Sequence, residues 1–270
     1  MGDNNGSHRV AAIDGLRGIL AVVVVAWHVV DPLGLAWMLI PAKVAVAIFF
    51  ILSGYALTRS WDGRVGVFIV RRFIRLWPVF ALCLGCGYVI AHEQPVLSEF
   101  FWFPLMEADD RRGINPPAWS LFLEVWTMPL MPLIVWSRTS LLKRGLPLAC
   151  VFLLASFAVP VLQTPAYFIA GAALARTDVH SRILESPVAQ WLGRISYSLY
   201  LSHALVLSLA VRALGPWGGV WALPAVFFVG WLIWRTIERP SITLSRRSEQ
   251  GVMWIVGRLR SSAVLAAPRP

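Results

Sequence analysis

Apolar runs recur along almost the whole chain, near residues 18–37, 43–58, 76–91, 118–136, 146–162, 164–175, 195–211 and 217–234. Such a run can be buried in a protein core or in a lipid bilayer, and eight of them exceed what one soluble core of 270 residues can hold. Composition agrees: 58% of residues are hydrophobic and only 14% charged, where a soluble domain carries roughly a quarter. The expected fold class is all-α, a polytopic membrane helix bundle of about eight transmembrane helices. The run at 164–175 is short for a span and follows a turn at Thr164-Pro165. The aromatic stretch EFFWFPLM at 99–106 is too short and broken to cross, and suits an interfacial helix.

Charge placement orients the bundle. Segment 59–75 carries net charge +4, 137–145 carries +3 and 235–270 carries +5, whereas loops 31–43 and 91–117 carry 0 and −3. Eight spans put every strongly basic segment on one side, which the positive-inside rule makes cytoplasmic, with both termini. The expected organisation is an N-terminal cytoplasmic tail over 1–12, a membrane domain over 13–240 and a basic cytoplasmic tail over 241–270. Asp14 stands where a signal peptide has a basic flank, and His28 interrupts the apolar run, so the first run is expected to stay as an uncleaved span.

Arginines outnumber lysines 22 to 2. A GC-rich genome explains part of that ratio; guanidinium forks that bind phosphate or anionic headgroups are the functional alternative. No zinc-finger spacing or basic-aromatic strand pattern points to nucleic acid. Cys83, Cys86 and Cys150 lie in apolar segments; the spacing CLGC lacks a second ligand pair, so no metal site is expected.

In the first run, IDGLRGILAVVVVAWHVV, Arg17 and His28 are eleven residues apart. On a helix they are offset by only about 20° and separated by about 16 Å along the axis. Both face one groove, with Arg17 near the cytoplasmic interface and His28 about halfway through a ~30 Å hydrocarbon core. Snorkelling to headgroups explains Arg17 equally well. An ionisable group at His28's depth more often marks a pathway or a site, and a neutral imidazole there can take a proton from a hydroxyl. Glu124 is the one carboxylate well inside a run and needs a partner: His28, Arg17 or a hydroxyl. Glu238 sits at the exit of the last run. His203, with Ser196, Tyr197, Ser198, Tyr200 and Ser202, forms either a polar seam between helices or part of a site.

These segments carry a resemblance. IDGLRGILAVVVVAWHVV, with its R-x(10)-H pair, resembles the opening of the acyltransferase-3 family of integral membrane acyltransferases. FFILSGYALTR at 49–59, RRFIRLWPVF at 71–80, WSLFLE at 119–124, YFIAGAALAR at 167–176, GRISYSLYLSH at 193–203 and IERP at 237–240 resemble its further blocks, in order. The resemblance implies transfer of an acyl group, commonly from an acyl-coenzyme A such as acetyl-CoA, to a hydroxyl of a carbohydrate, lipid-linked glycan or small molecule. It also implies a catalytic role for Arg17 and His28, joined here by Glu124.

With that donor in view, Arg71, Arg72 and Arg75, at a cytoplasmic helix start, suit the nucleotide phosphates, although positive-inside anchoring explains such a cluster as well. Ser53, Trp119 and Ser120 are candidate oxyanion donors, and Tyr197 and His203 candidate substrate contacts. Two departures stand out. Family members usually have about ten spans, and Met128 occupies the place of a family tyrosine, although Pro132 still matches. The expected enzyme is a multi-pass O-acyltransferase of a bacterial inner membrane, in contact with membrane lipids. A proton-coupled transporter would use the same intramembrane Arg, His and Glu, and a non-catalytic scaffold would fit the shortened core.

Overall fold

The computed structural model describes residues 10–61, 63–100, 114–130, 146–155, 162–175 and 179–247, with positions 135 and 177. Most of the stretch at 99–106, the basic segment 137–145 and the tail beyond 247 lie outside the described residues. All regular structure among the described residues is helical.

The long helices are α1 (Ala11–Val30), α2 (Ala42–Arg59) and α3 (Val65–Ala91). Then come α4 (Leu97–Phe100), α5 (Ala118–Thr127), α6 (Leu146–Ala155), α7 (Gln163–Leu174), α8 (Pro187–Leu214), α9 (Gly218–Trp221) and α10 (Leu223–Ile233). A π-helical turn over Trp234–Glu238 extends α10, and helical residues continue to 247. Local chemistry sets several ends. Ser186 caps α8 by accepting from the Ala189 amide, with Pro187 in the first turn. The chain leaves α1 through Asp31-Pro32 and Gly34, whose φ of 71° a glycine adopts without strain. Thr164 and Pro165, expected in a turn, instead form the first turn of α7, where proline's missing N–H is not needed.

Among the described residues, four helices are long and apolar enough to cross a bilayer: Ala11–Leu33, Ala42–Arg59, Val65–Ala91 and Pro187–Leu214. Large apolar side chains cover much of the outer surface, and the interior, although mostly apolar, also holds polar side chains. Leu154, Trp221 and Phe228 are 68%, 76% and 58% exposed, whereas Ser53, Ser198, Ser202, His203 and Glu238 are buried.

Helix α8 is the hub, packed against α1, α3, α9 and α10. Its contact with α1 is backbone on backbone. A Cβ on Gly18 would lie 2.4 Å from the Gly193 amide nitrogen, and one on Gly193 would lie 2.3 Å from the Asp14 carbonyl oxygen. Helices α2 and α7 meet in the same way, through Gly54 against Phe168 and Gly171 against Ile51. In lipid no hydrophobic force drives helices together, so close approach at small residues supplies the packing.

Pairings fix the directions. Gly18 meets Gly193 and His28 meets His203, so α1 and α8 are parallel. Tyr197 bonds to Leu76 and Arg212 to Ile90, so α3 is parallel to α8 as well. Gly230 packs on Leu199 and Gly218 on Ala210, so the chain through α9 and α10 returns antiparallel to α8.

Candidate functional site

At the end of the bundle where α1 starts, a cavity of about 210 Å³ opens between α1, α2, α3, α5, α8 and the helix after the π turn. Five arginines line it: Arg17, Arg59, Arg72, Arg75 and Arg246. Asp14 and Glu124 are the carboxylates in the same wall, leaving a formal surplus of positive charge. Val10 and Arg246 share this cavity, so both ends of the described chain lie on one side of the bundle. A second cavity of about 50 Å³ shares Arg17, Ser53, Glu124 and Tyr197 with the first and runs inward to Phe49, Phe50, Ser120 and Tyr200. The two form a graded path, cationic at its mouth and apolar inside.

Hydrogen bonds hold several residues in and beside the wall. Tyr197 donates its hydroxyl to the Leu76 carbonyl at 2.8 Å, tying α8 to α3. Ser120 donates to the Pro117 carbonyl at 3.0 Å, which leaves its oxygen to accept from the Tyr200 hydroxyl at 2.8 Å. Arg59 is fixed at the far end of α2 by the Tyr55 hydroxyl at 3.1 Å and the Ala175 carbonyl at 3.3 Å. Glu238, in the π turn, accepts from Ser198 at 2.6 Å and lies in the field of Arg75 and Arg17. Such π turns often sit at functional positions, because the extra residue re-aims one side chain.

The sequence expectations divide here. Arg17, Ser53, Ser120, Glu124 and Tyr197 do converge on the path. Glu124 pairs with Arg72 across α3 and α5, not with His28, Arg17 or a hydroxyl as its intramembrane position suggested. Of the arginine cluster, Arg72 and Arg75 line the cavity; Arg71 does not, and its guanidinium sits over the Phe68 ring at 6.0 Å. Trp119 is 41% exposed and packs edge-on to Phe50, outside both cavities, because on α5 it points away from the face that carries Ser120. Tyr197 is present, but its one proton is already donated to backbone. His28 lies in the last turn of α1, nearer its end than its middle, and it lines neither cavity. It stands instead beside His203, behind Tyr200, whose ring is 5.9 Å from that of His203.

Arg59 and Arg246 join the cavity without having been singled out, since in sequence they resemble any positive-inside anchor. Among the described residues no group of three or more His, Cys, Asp or Glu side chains could hold a metal ion. The cysteines are free, Cys83 buried and Cys86 and Cys150 exposed.

Among the described residues, a helical bundle with apolar side chains on its outer surface and an arginine-lined cavity within has the build of a membrane protein. The chain belongs to the acyltransferase-3 family: the profile described as "Acyltransferase domain" matches residues 10–187. Among curated relatives, acyltransferase MdmB of Streptomyces mycarofaciens is 27% identical, over 81% of this chain and 60% of its own length. Peptidoglycan O-acetyltransferase OatA of Listeria monocytogenes is 28% identical over 48% of this chain and 25% of its own. "Protein 2 in picA locus" of Rhizobium radiobacter is 31% identical over 33% of this chain and 52% of its own. The chain thus spans less than two thirds of each of these relatives. No solved structure gives a significant match.

Proposed function

We propose that the chain is an integral membrane O-acyltransferase that moves a short acyl group, acetyl in the first instance, from acyl-coenzyme A to a hydroxyl of an envelope carbohydrate or glycosylated small molecule. The observation that carries this reading is the path itself. Arg75, Arg59 and Arg246 surround the mouth of a cavity whose inner end is apolar. Coenzyme A has that polarity, with phosphates at one end and a long arm bearing the thioester at the other. Arginine forks bind phosphate oxygens in pairs. The relatives named as an acyltransferase and as a peptidoglycan O-acetyltransferase support the reaction class and a carbohydrate acceptor.

In this reading the donor enters from the cytoplasm, the side assigned to the arginine end and to both termini of an eight-span bundle in a bacterial inner membrane. The parallel setting of α1 and α8 fits that count, in which they are the first and seventh spans. The arm passes Arg17 toward His28, about 16 Å further along α1. His28 Nδ1 is 2.8 Å from the Val24 carbonyl and donates to it, which leaves Nε2 free to take a proton from the attacking hydroxyl. As the oxygen bonds to the thioester carbon, the thioester oxygen takes up the negative charge; Arg17, about 16 Å from His28 along α1, is too far to be its donor and instead holds the anionic part of the incoming donor. Collapse expels the thiolate. Glu124 holds Arg72 in the wall and takes no proton.

The test is transfer or hydrolysis of isotope-labelled acetyl-coenzyme A by the purified protein in detergent, beside His28→Ala. Label should leave coenzyme A with the unsubstituted protein and not with the variant. A well-folded protein that neither binds nor turns over any acyl-coenzyme A overturns the reading.

A further inference from the structure

Arg246 differs from the other four arginines of the mouth cavity. Arg17, Arg59, Arg72 and Arg75 are half-buried, and each interacts with neighbours: Arg59 with the Tyr55 hydroxyl and the Ala175 carbonyl, Arg72 with Glu124. Arg246 is exposed and makes no hydrogen bond or ion pair among the described residues. Its place follows from the segment after Pro240, expected as the start of a basic tail, which is helical to 247. Ser241 and Ser245, four residues apart, are 7% and 3% exposed, and their hydroxyls donate to the Ile237 and Ile242 carbonyls. The helix therefore turns a small face with its own polar groups satisfied toward the bundle. Ile242 and Arg246, again four apart, lie one 100° step round the helix and line the cavity. Arg247 lies a further step round, exposed and outside the cavity.

We infer that Arg246 binds the ribose 3′-phosphate of the acyl-coenzyme A donor, an assignment that rests on the acyltransferase reading and makes the tail helix the wall that selects coenzyme A over its dephospho form. Outward from its thioester, coenzyme A presents an uncharged arm, then a pyrophosphate, then a phosphate monoester on the ribose. The arginines follow the same order. Arg17 also lines the inner cavity, Arg75 is half-buried in the outer one, and Arg246 is the exposed one. With the arm inside, the inner arginines meet the pyrophosphate and Arg246 meets the outermost anion. A phosphate monoester carries about two negative charges near neutral pH and several acceptor oxygens, which an arginine fork binds in pairs. Arg246 can turn to it without breaking a bond, whereas Arg59 and Arg72 would first have to leave their partners. An anionic lipid headgroup offers phosphate oxygens too, and attracts exposed arginines at a membrane surface. Arg247, adjacent and equally exposed but outside the cavity, distinguishes the two sources.

The test is equilibrium binding of coenzyme A and of dephospho-coenzyme A to the purified full chain in nanodiscs of phosphatidylcholine. The unsubstituted protein should bind the dephospho form about tenfold more weakly, the scale of one lost bond between charged groups. Arg246→Ala should weaken binding of coenzyme A by the same factor and leave the dephospho form unchanged. Arg247→Ala should change neither by as much as twofold. The comparison of the two ligands on the unsubstituted protein needs no variant that folds and no turnover. Equal binding of both forms by the unsubstituted protein overturns the assignment, as does a loss in Arg246→Ala that is as large for the dephospho form. An Arg246→Ala effect seen only in nanodiscs containing phosphatidylglycerol, and matched by Arg247→Ala, also overturns it and identifies a lipid headgroup as the partner. Binding of neither nucleotide overturns the assignment together with the acyltransferase reading beneath it, whereas every other adverse outcome leaves that reading standing.

Discussion

Arg72 on α3 and Glu124 on α5 form an ion pair in the wall of the arginine cavity, their side chains 15% and 16% exposed. The pair closes α5 onto α3 and cancels one charge of each sign beside Arg17. Arg72 therefore takes part in assembling the cavity more than in neutralising a ligand.

Removing one partner leaves the other charged and poorly solvated. Glu124→Ala should destabilise the protein by about 3 kcal/mol, while the double replacement Arg72→Met/Glu124→Leu should recover most of that. Thermal unfolding in a single detergent decides between them. A double variant no more stable than Glu124→Ala would show that the pair is not the source of the loss.

The contact between α1 and α8 tolerates no side chain. A Cβ at Gly18 would lie 2.4 Å from the Gly193 nitrogen, so Gly18→Val must push the helices apart, at about 1–3 kcal/mol or more. Gly85, in α3, has nothing within 4 Å of a built Cβ. Gly85→Ala should stabilise by about 0.5–1 kcal/mol through helix propensity alone. Melting temperatures of the two variants should move in opposite directions.

The arginines separate by position. Arg75→Ala should raise the KM for acetyl-CoA about tenfold, the scale of one lost bond to a charged group, and Arg71→Ala by less than twofold. With acetyl-pantetheine, which lacks the nucleotide phosphates, the Arg75 effect should vanish. An equal effect on both donors would place Arg75 against some other part of the substrate.

Glu238 depends on Ser198, whose hydroxyl donates to it at 2.6 Å inside the bundle. Ser198→Ala removes that donor and should cost about 1–3 kcal/mol. Glu238→Gln keeps an acceptor for Ser198 and should cost less. Unfolding midpoints in the reverse order would mean that the carboxylate charge, not the bond, is what matters.

Much of this was readable along the chain, and for a local reason. A bilayer forces every spanning segment to satisfy its own backbone, so apolar length alone announces a helix. The runs at 18–37, 43–58, 76–91 and 195–211 each fall largely within one of α1, α2, α3 and α8. The polar residues in or beside those runs, Arg17, Ser53, Tyr197 and His203, did mark the interior, because polar groups in lipid turn inward. Their partners were not readable. Whether Glu124 met Arg72, Arg17 or His28 depended on how α5 is rotated against α3. Whether His28 met a carboxylate or His203 depended on glycines at 18 and 193 bringing α1 and α8 into contact. Those choices turn on crossing angles and on rotations of less than one residue's 100° step. The sequence by itself determined which segments are helices and which side chains face inward. Only the tertiary structure decided which inward side chains touch, because that is fixed by contacts between residues far apart in the chain, such as Arg72 with Glu124 and His28 with His203.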